Sequence, residues 1–483
     1  MNIALLLEMA AEAAPDRVGL VCEGKRWTYG DLLDAARGAF QLIQESEVEY
    51  AALLDDNCEA ATIAMFGAAL AGVPYCPLDS RVRDQELTAL LDRIAPALVI
   101  GDEERATRIA GGRGHTIYSR EEFSLKAQET VPAADAREYD PGEGIAVQLF
   151  TNGTAAAPKA AILRHSKLLD YIQDTVEFGS AGEGDSALLV VPPFNSAGIS
   201  AMLSSIYSLR RIVMLPKFSP DAWLHLVQAQ QITDSIMEST TLARIINAME
   251  QGVARDVSSL RAIDYGGGTM PAEVIRKALE RFPGADFTNA YCLTGTSSAI
   301  ALLGPEDHRM AVASGDPRVV ARLGSLGKPI TTVEIEIRGE DGKPVPPGEA
   351  GEIYVRGEQV SGEYMEKSNP DAEGWFSTRD AGYMDEDGYL FLCHRGEDMI
   401  VCGGETMWPG EIEEVLLTHP AVADACACAV PSIESGENVG VMIVVSEGWD
   451  RPGEFEIMEH VRRGLCLSRA PEKVVFAAEL PRD

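Results

Sequence analysis

Apolar and polar residues alternate along the chain in two periods, which predict two kinds of element. Residues 50–54 form a short apolar run typical of a strand, whereas residues 29–45 carry apolar side chains at helical spacing. The same alternation predicts further strands at 18–22, 26–28, 73–76, 145–150, 160–163, 186–191, 212–215, 261–265 and 287–291, and further helices at 1–14, 60–71, 166–176 and 271–282. Such alternation predicts an α/β fold with layers and parallel strands. The more polar segment 113–137 is predicted to be a surface connection.

The pattern changes after residue 327. Short strand-like runs separated by turns predict a smaller β subdomain up to residue 393. Beyond His394 the α/β pattern returns, with strands predicted at 399–402, 422–430 and 439–445 and helices at 409–417 and 454–466. The sequence therefore predicts a large N-terminal part followed by a compact C-terminal domain.

Composition and charge indicate which classes of binding partner are not expected for this chain. The 483 residues are 46% hydrophobic, enough to bury the cores of roughly three domains. A formal charge of -34 repels nucleic acid and anionic lipid, so neither is expected as a partner. The nine cysteines form no CxxC pair, which argues against a zinc site or a disulfide framework and suggests a cytoplasmic location. The chain has no signal-peptide pattern and no stretch of ~20 apolar residues, so membrane insertion is not expected.

A loop of small and hydroxyl residues follows the predicted strand 145–150. It contains Thr151 and Thr154 and ends at Pro158-Lys159. Small side chains let the backbone approach a ligand closely, and a lysine supplies a positive charge for phosphate. The spacing differs from GxxxxGK[ST], and a strand instead of a helix is predicted after the lysine. On this stretch alone, a phosphate-binding loop and an ordinary turn are equally open.

Six motifs in a fixed order carry a resemblance to one family. They are Phe150-Thr151-x-Gly153-Thr154-x-x-x-Pro158-Lys159, Tyr265-Gly266-Gly267-Gly268, Tyr291-x-x-Thr294, Gly351-Glu352-Ile353, Thr378-Arg379-Asp380 and Arg395-x-x-Asp398-x-Ile400-x-x-Gly403-Gly404-x-x-x-x-Pro409-x-Glu411-Ile412-Glu413. Together they resemble the adenylate-forming superfamily, most of all the bacterial acyl-CoA synthetases acting on fatty or other bulky apolar acids. The resemblance implies an N-terminal domain over 1–393, built of stacked α/β sheets and a β subdomain. It also implies a hinge over 394–398 near Glu397 and a small mobile α+β domain over 399–483.

The resemblance further implies a reaction in two steps. A carboxylate attacks the α-phosphorus of Mg-ATP to give acyl-adenylate and pyrophosphate, and the thiol of CoA then attacks the acyl carbon and releases AMP. The residues implied for the AMP part are Thr151, Thr154 and Lys159 at the phosphates, Gly266, Gly267 and Gly268 along the adenine, Tyr291 stacked on it, Thr294 at the α-phosphate and Asp380 at the ribose. Those implied for transfer to CoA are Arg395 with Gly403 and Gly404 beside the pantetheine tunnel. Phe194, Asn195 and Gly198 are expected to border the acyl pocket.

The chain departs from the family pattern at positions that serve the adenylation step. The family glutamate that holds magnesium is Gly295 here, which cannot coordinate a metal, so no metal site is predicted. Residues 152–156 are Asn-Gly-Thr-Ala-Ala where the family usually has Ser-Gly-Thr-Thr-Gly, and Asn195 stands where a histidine is expected. The family's Gly-Lys motif follows a Leu-Pro pair, and the sequence ends at Asp483 without it. Loss of one transition-state donor of this kind is worth ~3 kcal/mol, or ~10²-fold in rate.

These departures predict an acyl-CoA ligase homologue that catalyses the thioesterification half-reaction. It would transfer an acyl group to CoA from an acyl-adenylate made by a companion adenylating enzyme, with its own adenylation impaired or lost. The first alternative is a complete ATP-dependent, AMP-forming acyl-CoA synthetase, which would also use ATP, magnesium and a free carboxylic acid. The second alternative is a catalytically inert relative that binds an acyl group or a nucleotide.

Overall fold

A computed structural model describes residues 1–130, 143–151, 158–268, 270, 272–296, 299–339, 341–365, 370–395, 400–402, 405–407, 409–432, 436–464 and 471–480. The chain divides into two compact units. The first comprises Met1–Glu334 and Val355–Phe376, and the second comprises Ile335–Tyr354 and Ser377–Asp483. The predicted domain limits at 393 and 399 stay a prediction, and the hinge residue Glu397 lies outside the described residues.

The first unit alternates helices and strands, as the sequence predicts. Its helices are α1 (Ala4–Ala13), α2 (Tyr29–Glu45), α3 (Glu59–Ala71), α4 (Asp84–Arg93), α5 (Glu103–Ala110), α6 (Arg120–Glu129), α7 (His165–Thr175), α8 (Ser196–Tyr207), α9 (Pro220–Gln230), α10 (Ser239–Glu250), α11 (Ala272–Arg281), α12 (Pro305–Ala313) and α13 (Pro317–Ala321). Its strands are β1 (Val18–Cys22), β2 (Lys25–Thr28), β3 (Tyr50–Leu54), β4 (Tyr75–Pro77), β5 (Ala97–Gly101), β6 (Thr116–Tyr118), β7 (Ile145–Thr151), β8 (Lys159–Arg164), β9 (Ser186–Leu189), β10 (Arg211–Met214), β11 (Asp234–Glu238), β12 (Ala262–Gly266), β13 (Asp286–Cys292), β14 (Ala299–Leu303) and β15 (Lys328–Pro329).

These strands form two sheets. The larger has the order β15-β14-β13-β12-β11-β9-β10-β1-β2, and the smaller has the order β6-β5-β3-β4-β7-β8. The inner neighbours β1, β10, β9, β11, β12 and β13 all run parallel. Antiparallel pairs lie towards the sheet edges, at β1 with β2, β7 with β8, β13 with β14, and β14 with β15. The predicted layers with parallel strands are therefore confirmed.

Helix α3 is the centre of the core. Every residue from Glu59 to Leu70 is buried, because α2 and both sheets lie around the helix. A Cβ at Gly67 would lie 2.6 Å from the Cβ of Ala39, so the close approach of α2 and α3 depends on that glycine. Thr28 fixes the start of α2 through a reciprocal capping box with Asp31, with bonds of 2.9 and 3.0 Å.

The prediction that 113–137 is a surface connection was wrong over 116–129. This segment forms β6 and α6, and Ser119 caps the helix by accepting a hydrogen bond from the N–H of Glu122 at 3.1 Å. Phe123 and Ala127 are fully buried. So few apolar positions in a short polar helix gave too weak a periodic pattern.

The second unit contains a four-stranded and a five-stranded sheet. Its strands are β16 (Val333–Arg338), β17 (Gly351–Gly357), β18 (Phe376–Met384), β19 (Leu390–Arg395), β20 (Ile400–Cys402), β21 (Glu405–Met407), β22 (Val422–Ser432), β23 (Gly436–Val445) and β24 (Lys473–Ala477), and its helices are α14 (Pro409–Leu417) and α15 (Glu454–Gly464). The sheet orders are β16-β17-β18-β19 and β21-β20-β23-β22, with β24 beside β23. Ile412 of α14 and Ile457 of α15 are buried against the second of these sheets. The elements predicted beyond residue 399 are thus present.

A search of the described helices for a membrane span found none that combines enough length with enough apolar character.

Candidate functional site

The carboxyl ends of β11, β12 and β13 bring the predicted adenine and phosphate residues to one edge of the larger sheet. The parallel register pairs Glu238 with Gly266 and Gly266 with Ala290. The chain segments that follow these strands therefore leave the sheet at the same level, where open α/β sheets bind their ligands. Gly266 ends β12 and is followed by Gly267 and Gly268, and Thr294 follows β13.

The glycine loop after β12 has a conformation and packing that larger residues would disturb. A Cβ at Gly266 would lie 2.3 Å from the carbonyl oxygen of Ala290, and Gly267 has a φ of 75°. The hydroxyl of Ser239, at the start of α10, lies 3.2 Å from the carbonyl oxygen of Gly266 and 3.1 Å from that of Gly268. Gly267 and Gly268 are exposed, so the loop offers open backbone to a flat ligand. Ser239 was not predicted from the sequence.

Tyr291 and Thr294 differ in exposure. Tyr291 is only 7% exposed on β13, whereas Thr294 is half-buried at the start of a 3-10 turn over Thr294–Thr296. Thr296 holds this turn, because its hydroxyl donates to the carbonyl of Leu293 at 2.9 Å and accepts from the N–H of Leu293 at 3.2 Å. The turn thus presents Thr294 at the carboxyl edge of the sheet.

Gly295 is enclosed by aromatic side chains. A Cβ built there would lie 2.9 Å from Cζ of Phe376 and 3.1 Å from the hydroxyl oxygen of Tyr364. The Gly295 carbonyl also accepts a hydrogen bond from the N–H of Gly362 at 2.8 Å. The space that a magnesium-binding side chain would need at position 295 is occupied, so the residues present here do not fit that ligand. Among the described residues, no group of three or more His, Cys, Asp or Glu is arranged to hold a metal ion.

The segment 361–365 is held beside β8. The N–H of Ile162 donates to the carbonyl of Glu363 at 3.0 Å, and Arg164 makes a two-pronged ion pair with the Glu363 carboxylate at 2.7 and 2.5 Å. A bidentate pair fixes geometry as well as charge. It therefore helps to keep Tyr364 against Gly295.

The predicted phosphate loop lies between β7 and β8. Thr151 and Lys159 are directly opposite in the antiparallel register, so they are the ends of a hairpin. Thr154 and the rest of 152–157 lie outside the described residues. Lys159 is exposed, and a second cation, Arg93, donates to the carbonyl of Pro158 at 2.5 Å and lies 4.7 Å from the ring centre of Phe150. Arg93 was not predicted from the sequence, because it lies on α4, far along the chain from the motif.

The residues predicted to border the acyl pocket lie at the start of α8. Asn195 is the N-cap, and its side-chain oxygen accepts from the N–H of Ala197 at 3.0 Å. A Cβ at Gly198 would lie 2.6 Å from the carbonyl oxygen of Pro192. The guanidinium of Arg81 lies 5.0 Å from the ring centre of Phe194. Asn195 therefore caps α8 at the position where the family pattern has a histidine.

The larger sheet has an unusual face near this site. Strands β11, β12 and β13 alternate strictly, with one face buried and the other partly accessible. Strands inside a parallel sheet are ordinarily covered on both faces. We call the accessible side the open face; its residues are Asp234, Ile236, Glu238, Ala262, Asp264, Gly266, Asp286, Thr288, Ala290 and Cys292.

Asp380 lies in the second unit. It is 5% exposed on β18 and is paired in register with Arg395 of β19. Its N–H donates to the hydroxyl of Thr378 at 3.1 Å, and Thr378 donates to the carbonyl of Ile353 at 2.9 Å. Arg379 between them has a φ of 61°, a strained value for a non-glycine residue. The predicted CoA-side residues Gly403 and Gly404 lie outside the described residues.

The comparisons with known proteins agree with this architecture. The family described as AMP-binding enzyme matches residues 7–365, and the family described as AMP-binding enzyme C-terminal domain matches residues 411–483. The chain belongs to the AMP-binding enzymes, with the large N-terminal and small C-terminal domains of the adenylate-forming acyl-CoA ligases.

Several similar proteins are CoA ligases that act on 2-succinylbenzoate. The chain is 30% identical over 494 residues to the 2-succinylbenzoate–CoA ligase of Geobacillus kaustophilus, covering 99% of this chain and 94% of the relative. It is 28% identical over 486 residues to the enzyme of that name from Bacillus licheniformis, with 99% and 96% covered. Among solved structures, the o-succinylbenzoate CoA synthetase of Bacillus subtilis with its acyl-adenylate intermediate matches at a TM-score of 0.83 and 26% identity, over 99% of this chain and 95% of that chain. The same enzyme with ATP and magnesium ion also matches at 0.83.

Proposed function

We propose that the chain is an AMP-forming acyl-CoA ligase that activates a carboxylic acid with ATP and transfers the acyl group to CoA. The observation that carries the proposal is the similarity over 99% of the chain to ligases of this kind, one of them solved with its acyl-adenylate. The exposed Gly266–Gly268 loop supports it, because an adenine ring needs a backbone that can be approached closely. Thr294 lies at the same edge, and we assign to it a hydrogen bond to an α-phosphate oxygen.

The two half-reactions make different demands on these residues. In the first, a carboxylate oxygen attacks the α-phosphorus and pyrophosphate leaves, so negative charge must be neutralised near the phosphates. Lys159 at one end of the hairpin loop, and Arg93 of α4 beside it, are the cations that we assign to this task. In the second, the thiolate of CoA attacks the acyl carbon and AMP leaves with the bridging oxygen. This step needs mainly positioning, which we assign to Thr294, Asp380, Arg395, Gly403 and Gly404.

Magnesium accompanies ATP in the solved relative. Gly295 offers no ligand for it, and Phe376 and Tyr364 fill the space around that position. We therefore assign no step to a metal at position 295.

The packing at Gly295 favours a second candidate function. In this alternative the chain accepts an acyl-adenylate from a companion enzyme and catalyses only the transfer to CoA. Such a protein would keep the residues that bind the AMP part of an acyl-adenylate. It would lack the magnesium ligand at position 295 that adenylation needs.

Two parallel reactions separate the candidates. One contains Mg-ATP, CoA and a single acid from a panel of benzoate, 2-succinylbenzoate, 4-(aminomethyl)benzoate and octanoate. The other contains CoA and the synthetic adenylate of the same acid. Thioester is measured by mass spectrometry, and the protein from the full reading frame is used.

Thioester in both reactions is the result that we expect from the complete ligase. If thioester forms only in the reactions that contain a synthetic adenylate, the protein catalyses only the transfer of the acyl group to CoA. Thioester in neither, across the whole panel, would contradict both and favour an inert binding relative.

A further inference from the structure

The open face extends inward from the candidate site. Glu238, Gly266 and Ala290 are in register at the carboxyl edge, and Ile236, Asp264 and Thr288 are in register two residues further in. Two residues of strand span about 7 Å, and residues two apart lie on the same face. An acyl group whose carboxyl carbon reacts at the edge can therefore extend along the face to Asp264.

The inner row changes character from one strand to the next. Leu189 of β9 and Ile236 of β11 pack with the apolar core that includes α8, whereas Asp264 and Thr288 are polar; Ile236, Asp264 and Thr288 are all partly accessible. Burial is the main cause that raises the pKa of Asp264 to about 6. Asp264 therefore offers a partly accessible carboxylate beside the apolar part of this row.

The partners of Asp264 leave part of its hydrogen-bonding capacity unused. The hydroxyl of Thr288 is its hydrogen-bond partner. Across the described part of the chain, no ion pair is formed by Asp264 within 4.0 Å, and the nearby Arg210 pairs with Asp234 at 3.5 Å. A carboxylate accepts several hydrogen bonds, and one that is removed from water without a counter-ion destabilises the fold.

We propose that Asp264 is a specificity-determining residue that binds an amino group at the far end of the acyl chain. This inference rests on the proposed function, because it names the class of acid that the same site accepts. An aromatic acid with an aminomethyl substituent opposite its carboxyl group has about the required length. A second carboxylate at that end would be repelled by Asp264, so this chain differs in substrate class from the dicarboxylate named in its relatives.

Binding of non-reactive adenylate analogues tests the proposal without requiring turnover. The probes are 5′-O-sulfamoyladenosines carrying benzoyl, 4-(aminomethyl)benzoyl or 4-carboxybenzoyl groups, titrated calorimetrically against the full-length protein. A charge-assisted hydrogen bond corresponds to an affinity gain of about 10- to 100-fold. The aminomethyl analogue should therefore bind that much more tightly than the benzoyl parent, and the carboxy analogue should bind more weakly than the parent.

Substitutions assign the preference to one residue. Asp264→Asn should reduce the preference for the aminomethyl analogue to within about threefold of the parent. Asp286→Asn is the matched control, since Asp286 is an exposed carboxylate of β13 paired with Arg309 at 2.5 Å. It should keep the full preference.

The outcomes separate the two claims. If the benzoyl analogue binds and the aminomethyl analogue binds no more tightly, the assignment of Asp264 is overturned. The proposed ligase function is then unaffected. A preference that survives in Asp264→Asn also overturns it. Failure of all three analogues to bind, with the wild-type protein folded by circular dichroism, overturns the proposed function and this inference with it.

Discussion

A methyl group added at Gly295 should destabilise the protein because there is no room for it. The new Cβ of Gly295→Ala would lie 2.9 Å from Cζ and 3.2 Å from Cε1 of Phe376, well inside normal carbon–carbon contact. The ring cannot move freely towards Gly362, where a Cβ would itself lie 2.6 Å from Cδ2 of the same ring. Overpacking of this kind costs about 1–3 kcal/mol. We expect the free energy of unfolding to fall by about 2 kcal/mol.

A double-mutant cycle identifies the cause. Phe376→Leu alone should also destabilise, because it leaves a cavity in a buried position. In the Phe376→Leu background, Gly295→Ala should cost at least ~1 kcal/mol less than in the wild type, since the shorter side chain makes room for the methyl group. The control is Gly184→Ala, which has no atom within 4 Å of the added Cβ and should stay within ~0.5 kcal/mol of wild type.

Urea unfolding, followed by tryptophan fluorescence and circular dichroism, measures all four variants of the cycle and the control. If Gly295→Ala were as stable as Gly184→Ala, or if the two substitutions were simply additive, the packing argument at position 295 would be refuted.

Three further predictions concern the same region. Asp264→Asn should stabilise the protein by up to about 3 kcal/mol at pH 7.5, because a pKa raised from 3.8 to about 6 means that the folded state disfavours the ionised carboxylate above pH 6; this gain should vanish in urea titrations near pH 4. Gly266→Ala should weaken calorimetric binding of the benzoyl analogue at least ~10-fold, because the methyl group meets the Ala290 carbonyl at 2.3 Å, and unchanged binding would contradict the assigned loop. Gly295→Glu should not increase pyrophosphate release unless Phe376→Ala is also present, and a gain from the single change would show that the pocket at 295 is open.

The order of strands and helices was predictable from the sequence because each strong periodic run forms its element from its own residues. The run 29–45 became α2, and the strands on either side of the loop at 152–157 became the β7–β8 hairpin. Helix α6 was missed because it has only a few buried side chains in a polar segment. Its burial depends on α2 and on the neighbouring strand β5, which no local pattern reports.

The chemistry at the site was predictable only in part. The glycine at 295 is visible in the sequence, but its aromatic neighbours come from positions 364 and 376, about seventy and eighty residues later, and no motif connects them. The open face gave a signal that could have been used. Strands β11, β12 and β13 read Asp-Ser-Ile-Met-Glu, Ala-Ile-Asp-Tyr-Gly and Asp-Phe-Thr-Asn-Ala-Tyr-Cys, and an alternation of this kind inside a parallel sheet indicates that one face is not covered.

Transfer of oxygen from the acid to AMP tests the proposed reaction most directly. Each acid of the panel would be prepared with ¹⁸O in its carboxylate and incubated with ATP, CoA and the full-length protein. If the carboxylate attacks the α-phosphorus and the thiol then displaces AMP, one labelled oxygen must appear in the AMP phosphate, and mass spectrometry should find AMP heavier by two mass units alongside the thioester. Thioester formed with unlabelled AMP, or with ADP and phosphate in its place, would contradict an acyl-adenylate pathway in this protein.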